Sequence, residues 1–312
     1  MARDRAKPSP ADVITQTIIE KLAQGVRPWV KPWRPNASGG RPLRATGEPY
    51  RGMNTFWLWL ASENCGYSSR YWMTYRQAQL LGGQVREGER SQFAIFYKSY
   101  TKTVESAARP GDTTDEQRRV LRSYAVFSAD QIDGLPAHYY PSPVELVLPA
   151  DQLSDQAMRF FDALPAKIRH CGDQDTYDKI TDRITMPPLA QFSSRTQWGA
   201  TLVHEAGHWT GHPDRLDRTF GKRFGDAAYA FEELVAEMTA ALLGADLGLP
   251  TDHIDDHAAY IGCWLEILKG DSRALMTAAA RAEDAAGFLL RATGIPIDAG
   301  ERSETERIRE AA

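Results

Sequence analysis

Apolar residues at Val13, Ile14, Ile18 and Leu22 set a helical rhythm near the start of the chain. Residues three and four apart share one helix face, so these four predict a buried stripe. Ser9, Pro10 and Asp12 supply a cap, a first-turn proline and a capping-box partner, and Gly25 stops the element. Residues 55–61 are almost unbroken apolar sequence and predict a second helix, with Trp57 and Trp59 in the core. A short third helix ends at Gly82 and Gly83. The rhythm then shortens to two. Phe93, Ile95 and Tyr97 alternate with Phe96, Lys98 and Tyr100, which predicts a strand over 90–100, with a return strand at 122–127. Residues 104–119 carry no apolar period and predict a long hairpin loop. Asp133, Gly134 and Pro136 turn the chain out of this unit.

Prolines at 141, 143 and 149 mark residues 141–150 as a linker. Beyond it the pattern is mainly helical, over 154–164, 192–209, 226–247, 257–269 and 272–292. Two short strands, 168–171 and 183–187, flank a polar turn that contains Tyr177. The charged residues 300–312 predict a frayed end. The fold class expected is α+β, with a mixed N-terminal domain at 1–140 and a mainly helical C-terminal domain with a small sheet at 151–296. Residues 297–312 are expected to form a charged, flexible tail.

Charge separates the same two halves. Residues 1–109 hold 17 Lys and Arg against 8 Asp and Glu, whereas the remainder holds 20 against 33. A basic half joined to an acidic half predicts two units with different partners. The basic half also holds 14 of the 31 aromatic residues. On residues 26–34, prolines hold the chain extended while Trp29 and Trp33 alternate with Arg27, Lys31 and Arg34. Tyr50, Arg51 and Asn54 form a second cluster, Trp72 and Arg76 a third, and Lys98 lies on the predicted strand. Cations that follow phosphates and aromatic rings that stack on bases, at roughly 1–3 kcal/mol each, bind single-stranded DNA, with duplex DNA as a further partner. A core of aromatic rings under a solvated cationic face fits the same pattern, and the sequence alone leaves both open.

The second half contains His204-Glu205-Ala206-Gly207-His208, an H-E-x-x-H motif. Four residues make one helical turn, so both imidazoles reach one cation and Glu205 reaches the attacking water. Two surface histidines on an ordinary helix would give the same letters. A catalytic zinc site needs a third protein ligand. The helix at 226–247 supplies a face of small residues, Ala236, Ala240 and Gly244, headed by Glu233 and Glu237. Small side chains let another helix come close, and acids on such a face are costly unless paired or metal-bound. Glu233 is therefore the expected third ligand. Glu237 is expected to orient a ligand histidine. His212 and Tyr177 are candidates at the substrate site. Two His and one Glu suit Zn²⁺, with Mn²⁺ the alternative.

No run of about 18 apolar residues exists, and the basic start is followed by no apolar segment, so neither a membrane span nor a secretory signal is expected. Cys65, Cys171 and Cys263 are far apart, which suits a reducing cytoplasm.

Six stretches resemble the ArdC antirestriction family of conjugative plasmids and related mobile elements. They are IEKLAQGVRPW at 19–29, YRGMN at 50–54, WMTYRQA at 72–78, VFSADQIDGLP at 126–136, HEAGHWTGHPDRLDR at 204–218 and YAFEELVAE at 229–237. Residues 233–236 are also similar to the ligand helix of ImmA/IrrE-type peptidases. Ser128 departs from the asparagine that is frequent in the ArdC family. The resemblance implies an N-terminal single-stranded-DNA-binding domain and a C-terminal zincin-like metallopeptidase domain. It implies protection of incoming plasmid DNA from host restriction; a protein of the host restriction system is a candidate peptide substrate that the sequence does not identify. Catalysis would fall to Glu205 and metal binding to His204, His208 and Glu233. The alternative is a non-proteolytic protein that coats single-stranded DNA and whose metal site is structural or vestigial.

Overall fold

A computed structural model describes residues 8–29, 40–105, 113–140, 152–221, 227–249, 258–271 and 273–295. The expected linker at 141–150 and tail at 297–312 lie outside the described residues. The fold is α+β.

The N-terminal half opens with α1 (Pro10–Ala23), which is closed by a capping box between Ser9 and Asp12 and buries Ile14, Ile18 and Leu22. Helix α2 (Met53–Cys65) begins at Gly52, whose φ of 54° is a conformation that favours glycine. Trp57 and Trp59 lie in the core, as their apolar run predicts. Around α2 and α3 (Tyr75–Leu80) are β1 (Leu43–Arg44), β2 (Tyr71–Met73), β3 (Gln84–Val85), β4 (Gln92–Glu105), β5 (Thr113–Ser128) and β6 (Ile132–Asp133). The main sheet runs β1-β2-β5-β4, and β3 pairs with β6.

Here the expected hairpin is corrected. Strands β4 and β5 pair antiparallel without interruption from Gln92↔Val126 to Glu105↔Thr113. Most of the stretch read as a loop is therefore strand. Ladder hydrogen bonds are made by the backbone, so a two-stranded ribbon needs no apolar face along its whole length. An apolar period cannot reveal such a ribbon.

In the C-terminal half, α4 (Asp155–Ala163) precedes β7 (Lys167–His170), β8 (Thr176–Asp178) and β9 (Arg183–Met186). Their sheet order is β7-β9-β8. The polar turn around Tyr177 is in fact the edge strand β8, antiparallel to β9. The helices α5 (Arg195–Trp209), α6 (Ala227–Leu247), α7 (Ala258–Gly270) and α8 (Ala274–Thr293) follow. Helix α6 is packed by α5, α7 and α8. It is buried on every side from Glu232 to Gly244. The two halves share one buried cluster, which joins Ile14, Trp29 and Phe56 to Leu202, Leu234 and Leu289.

Candidate metal centre

Helix α5 is capped by Ser194, whose side chain accepts from the Gln197 N–H. The cap fixes where the helix starts, and the four-residue spacing then places His204 and His208 one above the other. Both rings are buried, as is Glu205. The approach of α6 depends on a small residue. A Cβ added at Gly207 would stand 3.4 Å from Ala236 Cα and from Thr239 Cβ, so nothing larger than a methyl fits between the helices.

That approach brings Glu233 to the histidines. His204 Nε2 and His208 Nε2 are 3.2 Å apart. Glu233 Oε2 lies 3.6 Å from the first and Oε1 lies 3.5 Å from the second. One ligand atom from each of the three residues falls within 4.8 Å of the others, which is the arrangement of a group able to hold a metal ion. Glu232, Glu233 and Glu237 of α6 are all buried, so none of them is a solvated helix charge.

The buried groups of the site shift one another strongly. Burial raises the Glu233 carboxyl, but His208 and His204 outweigh it and hold the group well below the carboxylate range. Burial lowers His208, but Glu233 and Glu232 outweigh that and raise it well above the usual imidazole value. His204 is raised in the same way, chiefly through Glu233. A cation bound by these residues takes the imidazoles in their neutral form, so its binding is linked to proton release. Glu205 differs. Burial, with smaller contributions from Asp175 and Glu233, pushes it up to about 7 against the pull of the histidines. Its Oε2 is buried and meets no hydrogen-bond donor among the described residues. An orphaned carboxylate oxygen beside three convergent ligand atoms fits a site that takes a water or substrate together with a metal.

Glu232 also reaches a histidine of the group, a contact that sequence reasoning missed. Its Oε1 lies 3.4 Å from His208 Nδ1. Glu237 pairs with Arg27 of the N-terminal half, Nη1 to Oε1 at 3.3 Å, and burial raises its carboxyl against the pull of His204 and Arg27. The other two candidates are engaged elsewhere. The Tyr177 hydroxyl donates to Asp182 at 2.9 Å and accepts from Arg215 at 3.1 Å. Its proton is therefore already used. His212 sits in the turn after α5, where its Nδ1 accepts from the Asp214 N–H at 3.2 Å. Tyr229 was also missed. It stands one turn before Glu233, half-buried, and burial, together with Glu233 and Glu205, raises its phenol. The (i, i+4) spacing to Glu233 was the available signal.

In the N-terminal half the structure removes three aromatic candidates. Trp29, Tyr50 and Trp72 are exposed by only 1%, 2% and 0%. Trp29 packs edge-on against Trp264 of α7, and the Tyr50 hydroxyl points to the Trp72 carbonyl. Rings so enclosed have no face for a base. Asn54 is structural, bonding both the N–H and the carbonyl of Ile95 at 2.8 Å. Arg51, Arg76 and Lys98 are exposed. Lys31, Trp33 and Arg34 lie outside the described residues. Three further residues of the ribbon are exposed: Phe96 and Tyr97 on β4, 44% and 60% exposed, and Arg122, which pairs across the ribbon with Phe96.

Fold and site together define a protein with a zincin-like metallopeptidase domain, and the family model of that description matches residues 155–281. The model for the N-terminal domain of anti-restriction factor ArdC matches residues 9–127. The crystal structure of antirestriction ArdC protein from plasmid R388 is 40% identical, with a TM-score of 0.76, over 92% of this chain and 98% of that one. Its Mn(II)-bound form superposes with a TM-score of 0.74. The chain therefore belongs to the ArdC antirestriction family. It is also 38% identical to the y4eC protein of Sinorhizobium fredii, over 93% of this chain and 95% of that protein. A DNA primase TraC of Escherichia coli is 39% identical over 89% of this chain, which spans only 26% of the primase. Among the described residues no helix is long and apolar enough to cross a membrane.

Proposed function

We propose that this chain acts in the cytoplasm to protect incoming DNA from restriction, binding it as a single strand and carrying a metal-dependent peptidase site. The observation that carries the peptidase reading is the convergence of His204, His208 and Glu233 beside the buried carboxylate of Glu205. A divalent cation held by the three ligands, Zn²⁺ by donor type or Mn²⁺ as in the R388 relative, would supply a Lewis acid for a scissile carbonyl. Glu205 takes the proton of the attacking water and delivers it to the leaving amine. Tyr229 is better placed than Tyr177 or His212 to donate to a developing oxyanion, because it adjoins Glu233. The substrate on this reading is a protein of the host restriction system.

Support for the DNA-binding half comes from its basic balance and from the exposed rings and cations of the ribbon, Phe96, Tyr97, Lys98 and Arg122. Aromatic rings reward unstacked bases, which favours a single strand over a duplex. Mobility shifts with both forms across salt concentrations test this, and equal affinity for the two would refute it.

For the peptidase half, Glu205→Ala should retain the metal and lose both peptide cleavage and restriction protection in a transfer assay. The match to a DNA primase favours a second reading, in which coating the strand is sufficient. A Glu205→Ala protein that protects as well as the parent would establish that reading instead.

A further inference from the structure

We infer that Glu232 and Arg218 form a positioning pair that fixes His208 as an Nε2 metal ligand. The inference rests on the reading of His204, His208 and Glu233 as a metal site. A neutral imidazole carries one proton. To offer Nε2 as a ligand it must hold that proton on Nδ1, and a fixed acceptor there sets both tautomer and ring angle. Glu232 Oε1, 3.4 Å from Nδ1, is that acceptor, while Nε2 on the other side of the ring faces His204 and Glu233.

Glu232 is only 2% exposed, and a lone carboxylate there would be expensive. Arg218, itself 5% exposed, offsets it with two parallel bonds, Nη2 to Oε1 at 2.6 Å and Nε to Oε2 at 3.0 Å. The remaining donors reach back to the end of α5. Nη1 donates to Thr210 Oγ1 and Nη2 to the Gly207 carbonyl, both at 2.7 Å. One guanidinium therefore ties the last turn of the histidine helix to the acid on α6, a task for a planar fork and not for a lysine. The loop is built to deliver it. Asp217, directly before Arg218, is held at φ 44°, and the Arg218 N–H donates to the Gly211 carbonyl at 3.0 Å. A non-glycine residue in that region persists only where its surroundings over-determine it.

The test uses the full chain and titrates Zn²⁺ and Mn²⁺ against a competing chelator. Glu232→Gln alone strands the Arg218 charge, so the decisive variant is Glu232→Met with Arg218→Met, which removes both charges together. The expected result is a far-UV spectrum like the parent's and metal binding weaker by about 10–100-fold. A folded double variant with parental affinity overturns the inference. His204→Ala serves as the control for the site itself. Retained affinity in that variant, or no metal binding by the parent, refutes the metal reading and this inference with it. A second measurement needs no variant: nitrogen-15 spectra of the metal-loaded protein should show His208 protonated on Nδ1. An unprotonated Nδ1 would overturn the assignment even if the double variant failed to fold.

Discussion

Glu205 is the residue whose chemistry depends most on what surrounds it. Burial raises its pKa to about 7, from an ordinary value near 4.5. In the metal-free protein the folded state therefore holds the Glu205 proton more tightly than the unfolded chain does. The stability this contributes is fully present below about pH 4.5 and is lost as the pH rises through 7. Glu205→Gln should therefore stabilise the chelator-treated protein at pH 8, by up to about 3 kcal/mol, and give no gain at pH 4. Urea unfolding at the two pH values measures this, and an equal effect at both would show that desolvation of the carboxylate is not the cause. Glu205 as the acid beside the two ligand histidines was legible in the sequence, because spacing along one helix is a local property. Its burial was not legible, because it depends on α6.

At the scale of elements, the ribbon of β4 and β5 changes where single-stranded DNA is expected to lie. The aromatic clusters that drew attention in the sequence, Trp29, Tyr50 and Trp72, pack inward. Two exposed rings, Phe96 and Tyr97, are on β4, next to Lys98, and Phe96 pairs across the ribbon with Arg122. Replacing Phe96 and Tyr97 together by alanine should weaken single-strand binding by roughly 1–3 kcal/mol per stacked base lost. Replacing Lys98 and Arg122 should reduce the salt dependence of binding by about one ion per phosphate contact removed. Fluorescence anisotropy with a labelled oligonucleotide at several salt concentrations separates the two effects. Unchanged affinity in both variants would move the contact away from the ribbon. Sequence reasoning found the strand but not its length, since the outer ribbon has no apolar face to record.

In the whole molecule, the basic half and the acidic half hold each other. Arg41 is 2% exposed and pairs with Asp246 of α6 at 2.6 Å and with Glu283 of α8 at 2.9 Å. Glu283 also accepts the Gly52 N–H at the start of α2. Arg27 pairs with Glu237, one turn beyond Glu233. Part of the positive balance that suggested a DNA surface is therefore directed at α6 and α8. Arg41→Met would remove the cation that bridges two largely buried acids, which is expected to destabilise the protein by about 3–5 kcal/mol. Tryptophan fluorescence and far-UV ellipticity should still fall in one shared transition. Two separated transitions would mean that the halves fold independently and that the clamp is not structural.

The sequence by itself determined what repeats along a helix or sits within a few residues. The Ser9 capping box, the His204–His208 spacing and the small-residue face behind Glu233 are all of that kind. Tertiary structure decided which side of each element meets which neighbour. Helix α6 is buried all round, and successive residues on it point about 100° apart. Its periodicity therefore groups Glu233 with Glu237 but does not show that His208 lies on the side of Glu232. Arg218, Arg27 and Arg41 lie 14, 210 and 205 residues from the α6 acids they pair with. Pairings across such separations leave no period in the chain, because they exist only once the core has closed around them.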